Sequence, residues 1–112
     1  MAEQGREALL SFIDSYVSSF EAWDILAYLA VYPEALLSLE SMARDLGRRP
    51  EDLAAAATRL EGSGVLLQAG AGRWRLSSDS QLRASLQGFA EAIDDHKQRL
   101  FVLTRLLENL SR

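Results

Sequence analysis

The stretch Leu46–Leu66, LGRRPEDLAAAATRLEGSGVL, decides how the chain is read. Gly47 can stop a helix ending at Leu46, because glycine adopts left-handed backbone without steric penalty. Pro50 suits the first turn of a new helix, where its missing amide N–H costs nothing. Glu51 and Asp52 then lie at that helix's positive end. Leu53, Ala57 and Leu60 recur on one face and supply a stripe to bury. Gly62 and Gly64 end the helix, and Val65 and Leu66 enter a strand. The outward positions are Glu51, Ala54, Ala55, Thr58 and Arg59.

Upstream, Ser38 can cap a short helix over Leu39–Leu46, with Leu39, Met42, Ala43 and Leu46 inward. Trp23, Ile25, Leu26 and Leu29 predict a helix over Ala22–Val31, stopped by Pro33. Leu9, Ile13, Tyr16 and Phe20, with Phe12 and Val17 beside them, predict another over Glu7–Phe20. Whether Phe20 and Glu21 separate these two helices is open at this level.

Downstream, Val65–Gln68 and Arg73–Ser77 read as strands around a flexible tip, Ala69-Gly70-Ala71-Gly72. Alternation places Trp74 and Leu76 on one face and Arg73, Arg75 and Ser77 on the other. Ser78–Ser80 can cap a long helix running to about Leu110. Its apolar positions are Leu82, Leu86, Phe89, Ile93, Leu100, Leu103, Leu107 and Leu110, with His96 in the remaining slot. The steps alternate four and three, which predicts a heptad seam packed along another helix.

The totals narrow the function. The chain has 112 residues, 48% apolar and 25% charged, which suits one globular domain. It has no cysteine, so disulfides, thiol nucleophiles and cysteine zinc sites are excluded. No apolar run is long enough for a bilayer and Met1–Arg6 does not open a signal peptide, so a soluble, cytoplasmic protein is expected. The net charge is −4, mildly hostile to nucleic acid. Its distribution is uneven. Between Leu39 and Ser78, six arginines face five acids, +1; the remainder is −5. No nucleophile–base pair, phosphate loop or cofactor fingerprint is present, so neither an enzyme nor a cofactor is expected.

The order helix, short helix, glycine turn, helix, hairpin, long helix resembles the winged helix-turn-helix transcriptional regulators, most like the small dimeric bacterial repressors of the MarR and ArsR kind. Residues 59–66, RLEGSGVL, and 72–77, GRWRLS, carry much of the likeness. They parallel the family wording "RLEEAGLV…GRYRLS". The close resemblance spans about residues 22–78. It implies a mainly α fold with a small two-stranded β-wing. One domain would fill residues 1–112, with an N-terminal dimer helix (1–20), a winged-helix core (21–78) and a long C-terminal dimerisation helix (79–112).

The resemblance also implies a homodimer on double-stranded DNA, with the second helix of the motif in the major groove and the wing on the backbone. Arg48 and Arg49 lie in the turn with Arg44 and Arg59 able to flank them; they would either clamp phosphates or form a solvated surface with local pairs such as Arg44–Asp45. Ala55 and Thr58 would face bases, and Arg73 and Arg75 would act from the wing. This chain departs from the family where Ser, Thr, Gln or Arg are usual near positions 49–56. Alanine can touch a thymine methyl but donates no hydrogen bond, so base readout is expected to be weak.

Asp94-Asp95-His96 resembles the Asp-x-His of some ArsR-type sensors. Leu107 and Leu110 stand where further ligands are needed, so no metal is expected and His96 is read as a polar layer of the seam. Residues 100–110 carry leucines, Phe101 and Val102 almost all round, more than one subunit of this size is expected to cover. The expected dimer contacts are Phe12, Tyr16, Phe20, Phe89, Ile93, His96, Leu100, Leu103, Leu107 and Leu110. The alternative is a protein–protein interaction module that does not bind DNA, suggested by the alanine-rich helix and the negative charge.

Overall fold

The structure, a computed structural model, describes the backbone of residues 2–112 and the side chains of residues 5–112. It is mainly helical with a small antiparallel sheet. The elements are α1 (Ala2–Tyr16), α2 (Phe20–Val31), β1 (Leu37–Ser38), α3 (Leu39–Leu46), α4 (Pro50–Gly62), β2 (Leu66–Gln68), β3 (Arg73–Leu76), α5 (Ser80–Asp94) and α6 (His96–Leu110).

The break between the first two helices falls at residues 17–19, before Phe20. Ser19 is extended and its hydroxyl accepts from the Ala22 amide, capping α2. Val17 turns inward and is buried. The α3–α4 segment follows the sequence closely. Ser38 and Ser41 form a reciprocal capping box at the start of α3. Gly47 closes α3 in left-handed backbone at φ 67°, where any other L-residue would be strained. Pro50 opens α4, and Leu53, Ala56, Ala57 and Leu60 bury its inner face. Ala56 is therefore core, which leaves Ala54 and Ala55 outward of the alanine run.

Two expectations about the elements are corrected. The sheet has three strands, not two, in the order β1-β3-β2. Leu37 pairs with Trp74 and Ser38 with Arg73, while Leu66, Leu67 and Gln68 pair with Leu76, Arg75 and Trp74. Second, the C-terminal helix is not continuous over residues 79–112. It breaks at Asp95, whose backbone is extended (φ −91°, ψ 124°) and whose carboxylate accepts from the amides of Lys97 and Gln98. That carboxylate begins a new helix in place of continuing the old one.

The physical reason for the reversal is burial. Folded back, α5 and α6 pack on each other and both pack on α1. Leu86, Phe89 and Ala92 of α5 and Val102 and Leu106 of α6 thereby enter the core with Phe12, Ile13 and Val17 of α1. Phe89 is its hub, with ring centroids 5.3 Å from Phe12 and 5.8 Å from Trp23. Phe12 and Phe89, expected at a dimer interface, are 4% and 0% exposed within one subunit and have no surface to offer a partner. Trp23 is likewise half-buried on the core.

What α6 leaves outside is narrower than the expected seam. Leu100, Leu107 and Leu110 are about half exposed and Leu103 is half-buried. Arg105 and Asn109, on the side facing α1, bind Asp14. Arg105 grips it through two bonds of 2.8 and 2.7 Å, and Asn109 donates at 2.9 Å. No helix among the described residues is long and apolar enough to cross a membrane.

Candidate nucleic-acid interface

The site is built from the α3–α4 turn, the outer face of α4 and the β2–β3 hairpin. Alternation along β3 sends Trp74 and Leu76 inward and leaves Arg73 and Arg75 exposed on the opposite face. The hairpin tip turns through Gly70 (φ 113°) and Gly72 (φ 67°), both in backbone that favours glycine. Trp74 fixes the hairpin to α4: its indole N–H donates to Glu61 at 2.7 Å, and Gln68 donates to the same carboxylate oxygen at 3.1 Å. Glu61 is thus occupied by Trp74 and Gln68, not by the hairpin arginines. Among the described residues no acid lies within 4 Å of Arg59, Arg73 or Arg75.

The turn arginines divide. Arg48 is held by Asp24 through its Nε and by Glu21 at 3.0 Å, so it ties the turn to α2. The hydrogen bond from Arg48 to Asp24 raises the guanidinium pKa further above the usual arginine value. An arginine engaged by two carboxylates is not free to clamp a phosphate, which corrects its expected role. Arg44 and Arg49 lie on exposed, local pairs with Asp45 (3.4 Å) and Asp52 (3.1 Å). Such pairs are worth little in water and yield readily to a phosphate. Asp45 also accepts from the Tyr28 hydroxyl at 3.3 Å. Burial first, and then the Asp45 charge, push that phenol up.

On α4, Ala55, Thr58 and Arg59 are exposed as expected, with Glu51 at the start of the same surface. One edge of this surface was not foreseen. Glu51, Asp52, Ala55 and Arg59 line an open groove of about 710 Å³ whose other walls are the α1–α2 turn and the end of α6. Asp14, Glu21 and Asp52 in this groove are each paired with an arginine. Glu51, Arg59 and Arg112 remain without an ion-pair partner among the described residues. Arg112 is thus a cation beside α4 that sequence reasoning assigned to no site. Its nearness to α4 follows from the fold-back at Asp95, which heptad spacing did not announce.

His96 is exposed at the first position of α6. Among the described residues no group of three or more histidine or acidic side chains converges as a metal would require. No protein-family model, curated protein or solved structure matches the chain.

Proposed function

We propose that the chain is a homodimeric DNA-binding transcriptional regulator of the winged helix-turn-helix kind, working in the cytoplasm and without a catalytic step. The observation that carries this reading is the pair Arg73 and Arg75. They are exposed, without acidic partners among the described residues, on a hairpin fixed by Trp74 beside a glycine tip able to approach a backbone closely. In this reading the hairpin is the wing and α4 lies in the major groove. Arg59, Arg49 and Arg44 complete the phosphate contacts, the last two by exchanging a weak local partner for a phosphate oxygen. Ala55 and Thr58 give α4 little with which to read bases, so preference comes mainly from DNA shape.

The dimer forms through the outer leucines of α6. Leu100, Leu103, Leu107 and Leu110 keep the four-and-three spacing along the helix, the requirement for one helix to seat on a second copy. Phe20, Tyr16, Ile93 and His96 remain at or near the surface, where they can add to that contact; Phe12 and Phe89 do not take part.

Fluorescence anisotropy with a mixed-sequence duplex at low salt tests this reading. Binding should change by less than about tenfold between unrelated duplexes, since few bidentate base contacts are on offer. A second reading, an interaction module without DNA binding, is favoured by Glu51 and Asp52 at the leading end of α4, where they repel phosphate. Absence of binding at low salt selects it.

A further inference from the structure

A second cavity, remote from the hairpin, lies between the start of α1, the middle of α5 and the first turns of α6. Its volume is about 680 Å³, within the roughly 300–1,000 Å³ usual for small-molecule sites. Leu9 and Phe101 supply its apolar surfaces, over the fully buried Phe89. Ala8, Ala84 and Gly88 supply its space, since none of them carries a side chain beyond a methyl group.

Gly88 gives a place at which the cavity can be filled. It lies inside α5, where glycine is destabilising relative to alanine. Neither usual reason for a glycine applies. Its φ is not positive, and a Cβ built on it would meet nothing within 4 Å. Neither backbone conformation nor close packing asks for glycine there, and an added side chain would enter open space beside the cavity.

The charges on the cavity wall are two cations and one acid: Arg6, Lys97 and Glu91. Among the described residues none of the three has an ion-pair partner within 4 Å. Arg6 rests on the Phe101 ring, 4.9 Å from its centroid. That contact holds the guanidinium at the wall, and among the described residues its N–H groups have no acidic partner. An apolar cavity with two such donors at its wall matches an amphipathic molecule with an anionic head.

We propose that this cavity binds a small amphipathic anion, its apolar body against Leu9 and Phe101 and its acidic head on Arg6 and Lys97. The site lies wholly within α1, α5 and α6, so it stands or falls independently of DNA binding.

The experiment uses the full chain and two probes of similar apolar body. One is 8-anilinonaphthalene-1-sulfonate, an anion; the other is the neutral N-phenyl-1-naphthylamine. The proposal predicts saturable, one-site enhancement of the sulfonate's emission. Gly88→Leu should abolish it while raising the thermal midpoint, because leucine favours the helix and fills the space. Arg6→Gln with Lys97→Gln, two exposed changes that leave the core intact, should weaken the sulfonate at least about tenfold, the scale of a lost charge-assisted contact. The same pair should leave the neutral probe within about twofold of wild type. Leu107→Ser should change neither probe. Unaltered sulfonate binding in Gly88→Leu, equal loss of both probes in the charge variant, or loss on Leu107→Ser would each overturn the proposal. So would the absence of saturable binding.

Discussion

Arg48 shows how one side chain changes role once the chain is folded. By sequence it is one of two adjacent arginines in a turn, suited to phosphate. Its partners Asp24 and Glu21 lie more than twenty residues earlier, on a different helix, and no local pattern points to them. The consequence is a clean separation from Arg73 and Arg75. Arg48→Ala should destabilise the fold by about 1–2 kcal/mol, since it strips two partly buried carboxylates of their common donor. Urea unfolding would show it, while the salt dependence of DNA binding should stay as in wild type. Asp14 makes a second residue-scale prediction. The hydrogen bonds from Arg105 and Asn109, aided by the Arg105 charge, lower its pKa from 3.8 to about 2. A carboxylate depressed by folding stabilises the native state above its unfolded pKa and loses that contribution as pH falls through the folded value. Stability should therefore decline between about pH 4 and pH 2, and Asp14→Asn should flatten that part of a pH–denaturation profile. The part-exposed site keeps the effect modest.

Among the elements, α3, α4 and the hairpin were legible because residues with specific backbone roles bound each of them. Ser38 caps, Gly47 stops, Pro50 starts, and Gly70 and Gly72 turn the tip. Arg73 and Arg75 were legible as exposed because alternation along a strand allows nothing else once Trp74 and Leu76 are inside. Two features were hidden. β1 is two residues long, too short to show a period, and exists through its pairing with β3. The break at Asp95 was masked by the heptad spacing, which continues unchanged through it. Spacing says which positions share a face; it does not say whether the face is one long surface or two folded together. The clue was chemical. Asp is a favoured N-cap, and the structure uses Asp95 as one for Lys97 and Gln98. Asp95→Ala should cost about 1 kcal/mol by thermal or chemical unfolding, the usual loss for a helix cap. No loss would mean that tertiary packing alone makes the turn.

For the whole molecule, the fold-back redistributes the apolar surface of the C-terminal segment. Part of it closes the core over Phe12 and Phe89, and part stays outside as Leu100, Leu103, Leu107 and Leu110. Burying apolar surface contributes roughly 25 cal/mol per Å², so these leucines on each subunit are a substantial drive to associate before entropy is counted. Leu100→Glu with Leu107→Glu should convert a dimer to a monomer in sedimentation equilibrium at micromolar concentration, with the helical circular dichroism of the subunit retained. A wild-type chain already monomeric there would remove the dimer from the account. The same fold-back also brings Arg112 beside α4 and encloses the cavity around Gly88, features that a continuous helix would not create.

If the hairpin arginines hold DNA by its phosphates, salt dependence reports it most directly. Affinity for a duplex should fall linearly in a log–log plot against salt, because each neutralised phosphate releases counterions. Removing Arg73 and Arg75 from both subunits deletes up to four such contacts, so the slope should become shallower by roughly 2 to 4. A double variant whose slope equals that of wild type would contradict the account, whatever its affinity.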